Sequence, residues 1–214
     1  FIMTVLPFLM PSYGEATCLS GLLAMTTSAV VVWRMWRCIN LSHLLPILSA
    51  FLIVSSATIF TLNRIDDHVL RHILGAVLIA IAIYFTFLSH RIKLKPNLAT
   101  QTVAGTLSGL LGGFFGMQGP PAVLYFLSSE NDKEHYMALI QVYLLAGNVG
   151  MLIVRAINGF LTPTVGLDYV YGAGGVAIGS TLGALVFRHI PQSTFRYVVY
   201  GYIAVSGVVI LLTA

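Results

Sequence analysis

The sequence predicts an all-α polytopic membrane protein built from two related repeats. Each repeat holds about four spans and a glycine/proline-broken helix, and the first broken segment is truncated. Three observations lead there. Hydrophobic residues make up 57% of the 214 positions and charged residues only 8%, against roughly 25% charged in an ordinary soluble domain. Apolar runs of about 17 residues or more, long enough to cross a hydrocarbon core, recur along the chain. Two short stretches of the first half also return, in the same order, in the second.

Taken in order, Phe1 to Met10 is apolar without the basic leader of a signal peptide, and reads as half of a span whose beginning is missing. Pro11 to Glu15 is a polar turn. Ala16 to Trp36 is long enough to cross and closes on Arg34, Trp36 and Arg37, the aromatic and basic residues that mark an interface. Leu44 to Leu62 is the next span, and the charged turn Arg64 to His68 leads into Val69 to Leu88, which ends at His90, Arg91, Lys93, Lys95 and Pro96. Between Lys95 and Glu130 lie 34 residues, 96 to 129, without a formal charge. As one helix they would reach about 51 Å, well past a core of about 30 Å, so this segment must bend, break or leave the core. After the polar loop Glu130 to Glu134 come His135 to Ile157, Tyr169 to Phe187 and Thr194 to Thr213. That makes six complete spans, one broken segment and one truncated segment.

The repeat rests on two matches. Thr4 to Leu9 agrees with Ala122 to Leu127 at four of six positions, at an offset of 118. Arg64-Ile65 and Arg71 fall opposite His189-Ile190 and Arg196 at an offset of 125, the difference fitting a longer loop around Asn158 to Leu167. The first repeat is then 1–95 and the second 96–214, within one integral membrane domain. An offset of 118 sets Phe1 opposite Gly119, so the counterpart of 101–118 falls before residue 1.

The broken segment is the place for chemistry. Gly105 to Leu127 reads GTLSGLLGGFFGMQGPPAVLYFL. Non-helical backbone at membrane depth is tolerated only where it is buried in protein or lines a wet cavity. Proline suits a helix start, and a half-helix beginning near Pro120 would turn its positive end toward an anion. The candidate substrate-binding residues are Ser108, Gly112, Gly113, Gly116, Gln118, Gly119, Pro120 and Pro121. Gln141 and Asn148, seven apart on one face of the following span, are second choices, with Thr26, Thr27 and Ser28 as their first-half counterparts. The competing reading of clustered glycines is a helix-packing surface. That reading is preferred for Gly175, Gly179 and Gly183, spaced four apart in a regular span.

Other chemistry is sparse. Cys18 and Cys38 lie near opposite ends of one helix about 30 Å long, out of disulfide range of each other. His43, His68, His72, His90, His135 and His189 sit at span ends in no metal-ligand pattern, and Asp66, Asp67 and Asp168 also fall at ends, so no deep carboxylate is visible for an ion relay. The net charge of +4 is spread through short loops, which argues against nucleic acid as a partner. No cofactor, metal site or enzymatic constellation is expected.

The stretch GTLSGLLGGFFGMQGPPAVLYFL resembles the second-half signature of the sulfite exporter TauE/SafE family of membrane permeases. The resemblance extends over the two-half layout. It implies a bacterial inner-membrane (plasma-membrane) multi-pass protein that moves sulfur-containing anions such as sulfite, sulfonates and sulfoacetate. The family pattern usually has a glycine at the position of Gln118 and a related glycine-rich motif in the first half. The expected partners are a small anionic substrate and the lipid bilayer, and a homo-oligomer is compatible with both. Export by alternating access fits, because moving one negative charge out of a negative interior gains about 2.3 kcal/mol per 100 mV. The rival classes are a membrane thiol-redox relay, which needs a cysteine in each half, and a non-transporting assembly subunit. For orientation, Arg34, Arg37, Arg91, Lys93, Lys95 and Arg155 count as basic residues of one side against five on the other, and the Arg91 to Lys95 cluster tilts that side toward the cytoplasm.

Overall fold

Capping groups set where the helices start. In the computed structural model, which describes residues 2–35, 44–62, 64–83, 97–129, 132–187, 205, 207–210 and 212, eight helices follow one another. They are α1 (Ile2–Leu9), α2 (Tyr13–Met35), α3 (Leu45–Leu62), α4 (Asp67–Ile83), α5 (Leu98–Phe115), α6 (Gly119–Ser129), α7 (Lys133–Ile157) and α8 (Pro163–Phe187). No strand occurs among the described residues.

The start of α2 is held from two sides: Glu15 N–H donates to Ser12 Oγ at 3.2 Å, and Tyr13 N–H donates to Asp67 Oδ2 at 2.9 Å. Those caps draw Tyr13 to Glu15, expected in a turn, into the helix. Asp66 in turn accepts from His68 N–H at 2.8 Å and starts α4. Asn97 and Thr100 form a reciprocal capping box at the head of α5. Thr162 Oγ1 accepts from Val165 N–H at 3.3 Å, with Pro163 at the first helical position of α8. That helix therefore begins six residues before the expected Tyr169, and the loop expected around Asn158 to Leu167 is correspondingly short.

Among the described residues, three helices are long and apolar enough to cross a membrane, over Tyr13–Trp33, Leu45–Leu62 and His135–Ile157. Only a third to two-fifths of their residues are buried, and the outward positions are apolar, among them Val30, Trp33, Ile53, Phe60, Val149 and Ile153. Such a surface suits lipid rather than water. The expected span Thr194 to Thr213, the second repeat match at His189-Ile190 and Arg196, and Cys38, His43, His90 and His189 lie largely or wholly outside the described residues.

The interior is built around α3 and α5, which pack face to face, with α7 crossing both α2 and α3. Gly105, Gly109 and Gly113 make the first contact possible. A methyl group built on Gly105 would come within 2.5 Å of Ile47 O, and one on Gly109 would stand 2.8 Å from Val54 Cβ. Phe51 is fully buried at this seam, edge-on to Tyr143 at 5.4 Å between ring centres. On α8, a methyl position on Gly172 meets Leu23 of α2 at 3.0 Å, whereas among the described residues nothing lies within 4 Å of a methyl position on Gly175 or Gly179.

Candidate functional site

Helix α5 stops because Gly116 turns left-handed, with φ +67°, a conformation that costs a side-chain-bearing residue about 1–2 kcal/mol. Its N–H donates back to Gly112 O at 2.9 Å, and Met117 N–H to Leu111 O at 3.1 Å. The chain resumes as a helix at Gly119. Between the two, Gln118 is turned inward and is only 3% exposed. Its Nε2–H donates to Leu144 O of α7 at 3.0 Å, while Oε1 lies buried over Gly147 with no hydrogen-bond partner. Gly147 therefore has to be small, since a methyl group there would meet both Gln118 Oε1 and Phe51.

Against this turn lies a cavity of about 220 Å³, lined by Ala24, Thr27 and Ser28 of α2, by Gly116, Met117, Gln118 and Gly119, and by Gln141, Leu144 and Asn148 of α7. Of the ten candidate residues, Gly116, Gln118, Gly119, Gln141 and Asn148 come together here, joined by Thr27 and Ser28. Thr26 instead pairs its hydroxyl with Tyr169 OH of α8 at 2.8 Å. Ser108, Gly112 and Gly113 do not line the cavity. Gly112 packs on Phe51, Gly113 on Thr58, and Ser108 is fully buried with its hydroxyl beside that of Tyr143. Pro120 and Pro121 form the first turn of α6 but are not among the lining residues.

The first turn of α6 is a weaker anion donor than an ordinary helix start. Pro120 and Pro121 have no N–H, so Gly119 supplies the only backbone donor among its first three residues. Among the described residues the cavity's other polar groups are side chains, two hydroxyls and three amides with no carboxylate. The Thr27 hydroxyl is spent on Ala24 O at 2.8 Å and one Gln118 Nε2–H on Leu144 O, so the donors left for a small oxyanion are the Ser28 hydroxyl, the Gln141 and Asn148 amides and the second Gln118 N–H. Ser28 and Asn148 are each 4% exposed, and neither side chain bonds a described protein group.

One polar residue escaped the sequence reading. Arg155, counted there as a basic residue of a span end, is 1% exposed inside α7. Its Nη1–H donates to Thr17 O at 3.0 Å, and its Nη2–H to Gly112 O at 3.0 Å and Gly113 O at 3.4 Å. Nε is buried without a partner, and no carboxylate accepts from the guanidinium among the described residues. A signal for it did exist. Gln141 and Asn148 are seven apart, and the next step of seven along that helical face is Arg155.

The family model described as "Sulfite exporter TauE/SafE" matches residues 1–210 of the chain. No curated protein and no solved structure matches it.

Proposed function

The chain belongs to the sulfite exporter TauE/SafE family, a family of membrane transporters of sulfite and related anions, and from that premise we propose that it carries a small sulfur-containing oxyanion, sulfite or a sulfonate, out of the cell. The substrate would sit in the cavity at the α5–α6 turn and be passed by alternating access between the two repeats, 1–95 and 96–214.

The observation that carries this reading is the lining of the cavity: Ser28, Gln118, Gln141 and Asn148 offer hydroxyl and amide groups, and no carboxylate enters among the described residues. A cation site would call for the reverse, carboxylates and clustered carbonyls. Its volume of about 220 Å³ falls below the roughly 300–1,000 Å³ of sites for drug-sized ligands, which suits a small ion better than a bulky solute. The mixed polar and apolar wall, with Ala24, Met117 and Leu144, also tolerates a short carbon substituent such as that of a sulfonate.

Export needs no coupling ion, because expelling each negative charge down an inside-negative potential gains about 2.3 kcal/mol per 100 mV. The test is efflux of radiolabelled sulfite from proteoliposomes. An inside-negative potassium diffusion potential should accelerate it, and collapsing that potential with valinomycin in symmetric potassium should slow it. Efflux no faster than from protein-free vesicles would contradict the reading.

A further inference from the structure

Arg155 presents a problem of charge. A guanidinium taken fully out of water is normally paired with a carboxylate, since an isolated buried charge is costly. Here its three accepting groups are all backbone carbonyls: Thr17 O of α2, and Gly112 O and Gly113 O in the last turn of α5. A helix's last-turn carbonyls are short of intrahelical partners and carry a partial negative charge of about half an electron. Broken helices in transporters commonly use such carbonyl ends to ligate sodium ions. In this chain the cup is already filled by a cation that is part of the protein.

We propose that Arg155 is a built-in cation: its guanidinium occupies the carbonyl cup where a coupling sodium ion would otherwise bind, and the part of its charge that the α5 end leaves uncompensated attracts the anion in the adjoining cavity. The inference rests on the reading of that cavity as an anion site. Placement supports it. Gly112 O, which accepts from Arg155 Nη2–H, also accepts from Gly116 N–H, and Gly116 lines the cavity. A methyl position on Gly21 lies 3.5 Å from Arg155 Nη1 and 3.8 Å from Asn148 Oδ1, so the guanidinium and a cavity-lining amide flank one point with no side chain between them. The absence of a β-carbon at Gly21 leaves the field of Arg155 open to the cavity. The cup also joins α2 to α5 through one side chain on α7, so the cation sits where the three helices meet.

The experiment is calorimetric binding of sulfite to the purified full chain in detergent, in sodium buffer and in sodium-free N-methylglucamine buffer. Wild type should bind with the same affinity in both; binding that requires sodium overturns the proposal. Arg155→Met should weaken binding at least about tenfold in the sodium-free buffer, as expected for loss of a buried charge, and added sodium or guanidinium ions should recover part of it through the vacated carbonyls. Unchanged affinity in a folded Arg155→Met overturns the proposal. Arg155→Lys keeps the charge but loses the planar fork, and covers the case in which the methionine variant does not fold. Affinity close to wild type despite a lower melting temperature supports a charge role. A loss as large as that expected for methionine shows that the fork merely braces the helices, and overturns it. Wild type that binds neither sulfite nor any sulfonate overturns this proposal and the anion-site reading together, whereas wild-type binding indifferent to Arg155 overturns the former alone.

Discussion

At the scale of single residues, Gln118 is the side chain whose geometry says most about the turn. Its amide spans the gap between the α5–α6 connection and α7 and is fixed in direction, because Nε2–H donates to Leu144 O and a flipped amide would set two acceptors against each other. Gln118→Leu removes that bond, worth about 0.5–1.5 kcal/mol, and one polar group of the wall. The protein should still fold, and sulfite efflux from vesicles should fall; an unchanged rate would remove Gln118 from the site. Asn148→Leu, which replaces an amide that bonds no described protein group, should weaken sulfite binding by about 1–3 kcal/mol without lowering the melting temperature. Both residues were legible in the sequence because an amide inside an apolar run has few reasons to be there. Arg155 was not, for a physical reason: two residues from the end of its helix, a buried arginine and an interfacial one leave the same local pattern. Only the carbonyls of α2 and α5, distant in sequence, distinguish them.

Helices show the same division between local and distant information. The end of α5 at a glycine and the start of α6 beside two prolines follow from backbone preferences of the residues themselves, and the sequence pointed to both. What it could not show is that Gly105, Gly109 and Gly113 face α3, since no local feature separates a packing glycine from a ligand-facing one. Substitutions distinguish the roles. Gly105→Ala drives a methyl group against the Ile47 carbonyl, backbone that cannot rotate away, and should cost about 1–3 kcal/mol. Gly179→Ala meets nothing within 4 Å among the described residues and should leave stability unchanged or raise it through better helix propensity. Melting curves of the two variants in one detergent check this; equal destabilisation would contradict the packing described. The prolines of α6 sharpen the chemistry as well. By removing two N–H groups from the helix start they would, on the proposed function, shift the burden of anion recognition onto side chains of α2 and α7.

For the whole molecule, the all-helical fold was legible from composition and run lengths, while the two-repeat organisation remains a proposal that the element order supports. Moving α2 by 120 residues brings its start onto that of α7 and its end to within two residues. The same pairing sets Ser28 opposite Asn148, and both line one cavity. In this arrangement α2 and α7, packed on each other, bring one wall from each repeat. Withdrawing the buried Arg155 from the count of interfacial charges leaves five Lys or Arg on either side. The central claim is that a small oxyanion occupies the space between Ser28, Gln118 and Asn148. Anomalous diffraction from crystals of the full chain soaked in selenite, a heavier analogue of sulfite, tests it most directly. The account predicts a selenium peak inside this cavity, which sulfite displaces in competition. Selenium found only on the outer surface, or none in the cavity, would contradict it.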